Sequence, residues 1–275
     1  TVTQTAASDA TDFTAQFDEA FAKELQKQGI IADAEHITPE DMEKIAAITS
    51  LDVAGSYDNP GTLTSLRGIE YFESLEELSC LYNQLTALDV SRNTALTELR
   101  CDYNQLTSLD VSRNTALTYL DCNNNQLTEL DVSRNTALTE LDCSGNPLTT
   151  LDISMNTALT KLYCAINELT TLDVSRNTAL TELNCANNEL TTLDVSQNTA
   201  LTVLSCFSNE LPSLNISRNR ALTKFDCSYN PGDGVSSFPV TAWFDNDTKP
   251  GDLEIDEEQW KYDGKTITID FRKAE

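Results

Sequence analysis

Eight cysteines are the first residues in this chain whose type and spacing suggest chemistry. They stand at Cys80, Cys101, Cys122, Cys143, Cys164, Cys185, Cys206 and Cys227, each 21 residues after the last. An even count invites disulfides, and thiolates invite zinc. Zinc sites use short paired spacings, which are missing. Cysteines one repeat apart would lie in register on neighbouring parallel strands with their Cβ vectors side by side, a poor match to disulfide torsions. The expectation is buried free thiols acting as small apolar groups. A second row, Asp89, Asp110, Asp131, Asp152, Asp173 and Asp194, has the same period. Stacked carboxylates could hold calcium, but the glycine-rich nonapeptide of calcium-stacked coils is absent. Arg92, Arg113, Arg134 and Arg176 follow three residues later and offset the repulsion, so the row reads as surface charge. The one histidine is His36. No Gly-x-Ser-x-Gly elbow, His-Glu-x-x-His pair or phosphate loop occurs. The reading is noncatalytic, with no cofactor and no metal.

The period positions these residues. The string LTSLDVSRNTALTYLDCNNNQ, beginning at Leu106, recurs through the middle of the chain. Asparagines fall three residues after each cysteine, from Asn83 to Asn230. The pattern is L-x-x-L-x-[L/C]-x-x-N-x-L, the leucine-rich repeat. Each repeat holds it twice, since Leu106-x-x-Leu109-x-Val111-x-x-Asn114 matches Leu117-x-x-Leu120-x-Cys122-x-x-Asn125. Steps of two, Leu109 to Val111 and Leu120 to Cys122, put both side chains on one face of an extended segment. Each coil is thus expected to add one strand to each of two narrow parallel sheets around a shared core. A buried unpaired amide costs about 1–3 kcal/mol, so the asparagines must bond the backbone of their own and adjacent coils.

On these residues the chain resembles the 21-residue bacterial leucine-rich repeats of the IRREKO type, L-x-x-L-x-C-x-x-N-x-L-x-x-L-D-V-S-x-N, over roughly residues 51–230. That resemblance implies a mainly β, α/β-type right-handed solenoid and a surface protein of gut bacteria. It also implies a helix–loop–helix before the repeats, in a position where related proteins can carry a calcium-binding hand. Here the loop is IIADAEHITPED and lacks the D-x-D-x-D-G spacing, so Asp33, Glu35 and Glu40 read as a solvated acidic loop.

An open solenoid needs caps. Phe13, Phe17, Phe21 and Leu25 form one helical stripe stopped at Gly29, and Thr38-Pro39-Glu40-Asp41 opens a second helix. Residues 57–68 form an irregular insertion. Phe238 to Phe244 reads as a strand, and Trp260 to Phe271 as a hairpin about Asp263-Gly264. Trp243, Trp260 and Phe271 would cover the last coil; a carbohydrate platform of the two tryptophans is the alternative. The expected organisation is a linker and helical cap at 1–50, with Thr1–Thr11 as the linker, repeats at 51–232 and a β cap at 233–275.

The net charge of −26 repels nucleic acid and anionic membranes, and no apolar run is long enough to span a bilayer. The chain begins at Thr1 without Met, which suggests a trimmed secreted or surface protein, with room for a lipid anchor upstream. The half-repeat LDVSRNTAL barely changes along the chain, whereas the cysteine half varies at its outward positions. Tyr119 and Lys161 precede inward leucines, Arg100 and Tyr163 follow them, and Phe207 lies just past Cys206. These five are the candidate contacts for a protein or glycan partner. Drift on a solvated face, in a structural spacer or adhesin segment, is the competing reading.

Overall fold

Each cysteine half carries one inward leucine or phenylalanine between two outward residues, and this triplet is the strand. The computed structural model describes residues 11–274, so Thr1–Ala10 of the expected linker lie outside the described residues. The strands are β1 (Ser50–Asp52), β2 (Glu77–Ser79), β3 (Glu98–Arg100), β4 (Tyr119–Asp121), β5 (Glu140–Asp142), β6 (Lys161–Tyr163), β7 (Glu182–Asn184), β8 (Val203–Ser205), β9 (Leu214–Asn215), β10 (Lys224–Asp226), β11 (Ser237–Ala242), β12 (Glu254–Ile255), β13 (Gln259–Tyr262) and β14 (Lys265–Lys273). Ten of them form one parallel sheet, in the order β1 to β8, then β10 and β12. Leucine faces leucine across the steps, as in Leu99↔Leu120 and Leu120↔Leu141. Behind them the eight cysteines are free and fully buried, and several thiols donate to the next coil's carbonyl, as Cys122 Sγ does to Asp142 O. Burial holds these thiols well above their ordinary range, so they are protonated and poor nucleophiles.

The second sheet corrects the expectation. The leucine–valine half of the coils forms no strand, β9 excepted. This half turns within its own coil instead of pairing with the next. In each coil Asp Oδ1 accepts from the serine N–H two residues on, as Asp110 does from Ser112 at 2.9 Å and Asp131 from Ser133 at 2.9 Å. The same bond closes the ends of ladder strands, as between Asp142 and Ser144 or Asn215 and Ser217, so it shapes the turn without by itself excluding a ladder. The chain then turns, with Asn114 N–H donating to Val111 O and Leu117 N–H to Asn114 O. At β9 the cap strand β11 supplies an extended partner, and β9 closes a second, four-stranded sheet in the order β13-β14-β11-β9.

The asparagines make two ladders of different quality. Asn125 donates to Cys101 O at 3.0 Å in the preceding coil and to Cys122 O at 3.1 Å in its own, while its Oδ1 accepts from Leu106 N–H at 2.9 Å. All its strong bonding capacity is used. In the other ladder Asn135 donates to Val111 O and Asn114 O, both at 2.9 Å, and its Oδ1 has no partner.

At the N-terminal end the helix starts later than the phenylalanine stripe predicts. α1 spans Glu19–Lys27 because Asp18 caps it, accepting from Ala20 and Phe21 N–H; Phe13 and Phe17 precede it around a short 3-10 turn. Gly29 follows at φ +73°, a left-handed value suited to glycine. α2 spans Pro39–Ala46 under a Thr38–Asp41 capping box. Phe17, Phe21 and Phe72 pack together and seal the first coils. At the other end Asp263 and Gly264 take positive φ in the β13–β14 turn, and Trp260 donates Nε1–H to Asn230 O at 2.9 Å. Trp260 is buried while Trp243 stands half-buried and edge-on to Phe244. The two tryptophans therefore form no shared platform. Among the described residues no helix is long and apolar enough to cross a membrane.

Candidate interaction face

The long sheet displays one outward residue on either side of each buried leucine, so neighbouring coils stack their outward side chains into columns about 4.8 Å apart. The structure brings some predicted contacts together. Arg100 ends β3 and Tyr119 starts β4; the guanidinium lies 5.0 Å from the centre of the Tyr119 ring and bonds Glu98 at 2.6 Å. Lys161 and Tyr163 flank Leu162 on β6. Lys161 pairs with Glu140 at 3.5 Å, and Tyr163 donates to Glu182 at 2.5 Å. Phe207 lies past the end of β8, half-buried, two coils beyond Tyr163.

Three further features lie on or beside this face, and Asp102 belongs to the first. It is the residue after Cys101, and its column continues as Asn123, Ser144, Ala165, Ala186, Phe207 and Ser228. Asp102 is the one acid in that column, which is the signal that could have drawn attention to it. It is 6% exposed, and its Oδ1 has no hydrogen-bond partner. Burial pushes its carboxyl up to about 6. Asp121 is pushed up to about 7, by burial first and then by the charges of Asp102 and Asp142. Asn123 steadies Asp121 through Nδ2 at 2.7 Å and reaches Asp142 at 3.3 Å. Burial, aided by Asp121, raises the Tyr119 phenol to about 12.

The second feature is a column of left-handed backbone beside the sheet: Tyr82, Tyr103, Asn124, Gly145, Ile166, Asn187, Ser208 and Tyr229 all have φ between 50° and 65°. Tyr82 and Tyr103 stack at 4.2 Å between ring centres. The third is Ile166, a β-branched residue at φ 55° with 61% of its surface exposed. Left-handed φ costs such a residue about 1–2 kcal/mol. Replacing Ile166 with Asn, which tolerates this region, is expected to raise stability by about 1 kcal/mol in denaturant unfolding. An unchanged or lower midpoint would show that Ile166 has compensating contacts.

On the opposite side the aspartate row lies in a shallow open groove lined by Asp110, Asp131 and Asp152. Each carboxyl is held below its ordinary value by its serine bond, and each is exposed. Among the described residues no His, Cys, Asp and Glu group has metal-binding geometry.

A coil of this length, with one inward leucine per short strand and a buried asparagine ladder, repeats through the sheet. Residues 94–135 and 115–155 match leucine-rich repeats (two copies). The fold is a leucine-rich-repeat solenoid. It is similar to the functional domain of InlJ from Listeria monocytogenes, described as including a cysteine ladder, with 34% identity and a TM-score of 0.66 over 97% of this chain. The chain spans 63% of that solved chain's length. A leucine-rich-repeat protein from Leptospira interrogans matches 70% of this chain and 58% of its own at 23% identity and a TM-score of 0.63. An internalin, InlF, from Listeria monocytogenes matches 86% and 87% at 21% identity and a TM-score of 0.53. These last two bear on the fold alone. No curated protein is significantly similar in sequence. The solenoid's neighbours are thus bacterial leucine-rich-repeat proteins.

Proposed function

We propose that this solenoid is a noncatalytic binding module, secreted or held at a bacterial cell surface, that takes a protein or glycan ligand on the cysteine-side sheet. The observation that carries the reading is the contrast between the two sides of the coil. One side repeats Asp-Val/Ile-Ser with every carboxyl satisfied by its own turn. The sheet side varies in charge and shape, with a guanidinium–phenol stack, two tyrosine–carboxylate or lysine–carboxylate links and a buried carboxylate left unpaired. Extended, irregular, aromatic-bearing sheets are how solenoids recognise partners. The grooves are shallow and open, which supports binding better than turnover. The 21-residue repeat type and a gut habitat fit this reading.

The test compares the intact chain with a Tyr119→Ser, Tyr163→Ser, Phe207→Ser variant in capture from intestinal mucus and epithelial extract. All three sites are outward, so the variant is expected to fold, which far-ultraviolet dichroism checks. A partner held by the first and lost by the second, at least tenfold, supports the face. Equal capture, or none by either, moves the assignment to a structural spacer.

A further inference from the structure

Three coils of the sheet, β3 to β5 with their following loops, carry an excess of carboxylate that this chain does not balance. Glu98 and Glu140 already have cations, Arg100 at 2.6 Å and Lys161 at 3.5 Å. Asp102, Asp121 and Asp142 take part in none of the ion pairs formed among the described residues. Asn123 links Asp121 to Asp142 across one coil step, and Asp102 interacts electrostatically with both. Asp102 sits 94% out of solvent with Oδ1 bonded to nothing.

A buried carboxylate oxygen without a partner is costly, and its natural complement is a cation that brings N–H donors. We infer that Asp102, Asp121 and Asp142 form the seat for one cationic side chain, lysine or arginine, presented by a protein partner. This rests on the binding reading above and names the chemistry of its ligand. The flanks fit such a guest: the Tyr119 ring stands on β4 beside Asp121, and the Tyr82–Tyr103 stack borders Asp102 in the loops. Cations favour aromatic faces. A net charge of −26 speeds the approach of a basic segment and turns away anionic glycans and phosphates. The opposite aspartate row offers no such seat, because all its carboxyls are exposed and bonded to serine N–H; Asp121 and Asp142 make the same turn bond, but beside them Asp102 is buried with Oδ1 unpartnered. Seating a cation also requires Asp102 and Asp121 to be ionised. Glu98, Glu140, Arg100 and Lys161 face the same patch, and their two pairings leave the seat's demand unmet. Binding therefore strengthens from pH 5.5 to pH 7.5.

The probe is an acetylated, amidated Gly-Arg-Gly-Lys-Gly peptide, titrated against the full chain and followed by amide chemical shifts. Shifts centred on Asp102, Asp121 and Asp142 are expected. An Asp102→Asn, Asp121→Asn variant should weaken binding about tenfold or more, and it removes buried charge, so it has no reason to unfold. An Asp110→Asn, Asp131→Asn variant, with the same change in net charge, should weaken it less than about twofold. Equal loss in both variants, no loss in either, or shifts spread along the aspartate row would overturn the seat. So would calcium chloride displacing the peptide from these amides at millimolar concentration, since the occupant would then be a metal ion. Capture that still depends on the aromatics, with peptide binding blind to the carboxylates, would sink the seat alone. Carboxylate-dependent peptide binding with capture indifferent to the aromatics would sink the aromatic contacts alone.

Discussion

Replacing Asn125 with Ala is expected to destabilise the solenoid by on the order of 3–5 kcal/mol, while Asn135→Ala costs about half as much. Asn125 bonds four backbone groups, Cys101 O, Cys122 O, Asn123 O and Leu106 N–H, in two coils. Its loss strands the Leu106 N–H, at about 1–3 kcal/mol, and removes donor bonds worth about 0.5–1.5 kcal/mol each, although Cys101 O, Cys122 O and Asn123 O keep Asn104, Asn146 and the Tyr103 N–H as donors. Asn135 bonds two carbonyls and brings its own unpaired Oδ1 into the core. Its removal leaves Val111 O and Asn114 O with their backbone donors, Asn114 N–H and Leu117 N–H, strands no N–H, and relieves one unpaired acceptor. Carbonyls also tolerate neglect better than N–H groups do. Denaturant unfolding of both variants measures the difference. Equal costs, or a larger cost at Asn135, would mean that coil packing outweighs backbone satisfaction. Asn125→Asp, which keeps the shape and the acceptor but loses both donors, should be at least as damaging as Asn125→Ala at neutral pH.

The second large effect is on pH. Asp102 and Asp121 are raised to about 6 and about 7 by burial. In that situation the folded chain holds protons that the unfolded chain has released, so stability falls as pH rises through the window from about 4 to about 7. A shift of one unit is worth about 1.4 kcal/mol, and with water reaching parts of this face the two groups together should contribute on the order of 3 kcal/mol. The aspartate row runs the other way. Asp110, Asp131 and Asp173 are held below their ordinary value by serine bonds, so their contribution is lost as pH falls below about 4. These groups are exposed and their share is small. Maximum stability is expected near pH 4.5–5, on the acid side of neutral. Thermal unfolding from pH 3.5 to pH 8 checks this, and the Asp102→Asn, Asp121→Asn variant should flatten the decline above pH 5 and melt higher than the parent at pH 7.5. An unflattened decline would assign the effect to the net charge of −26 as a whole.

The two effects share one origin. A solenoid satisfies its backbone through residues repeated in every coil, and a residue that departs from that repetition loses what the repeat supplies. Asp102 stands in a column otherwise filled by neutral residues, and Ile166 holds a left-handed conformation that glycine occupies one coil earlier. Both departures cost stability and both lie on or beside the varied sheet. Strain and unpaired charge held in place by a rigid scaffold are common at contact sites.

The 21-residue period, the inward leucines, the buried cysteines and the asparagine ladder were all legible in the sequence. Each follows from spacing: a side chain that recurs once per coil must meet its own copy in the next coil, and only residues content with that neighbour can recur eight times. The Thr38 cap, the Gly29 stop and the Asp263-Gly264 turn were legible for the same local reason, since one residue's own backbone preference decides them. Tertiary structure decided the rest. Period-two spacing alone assigns a strand to both halves of the coil, but the leucine–valine half turns back on itself between Val111 and Leu117 and its counterparts, and β9 forms only where β11 lies alongside. Asp18, by capping α1, shortened a helix that the phenylalanine stripe had extended. Trp260 turned inward to Asn230, while Trp243 packs edge-on to Phe244, so the two tryptophans do not meet. The meeting of Asp102, Asp121 and Asp142 was likewise invisible along the chain, because carboxylates a coil apart interact only once the coils are stacked and water has been displaced between them.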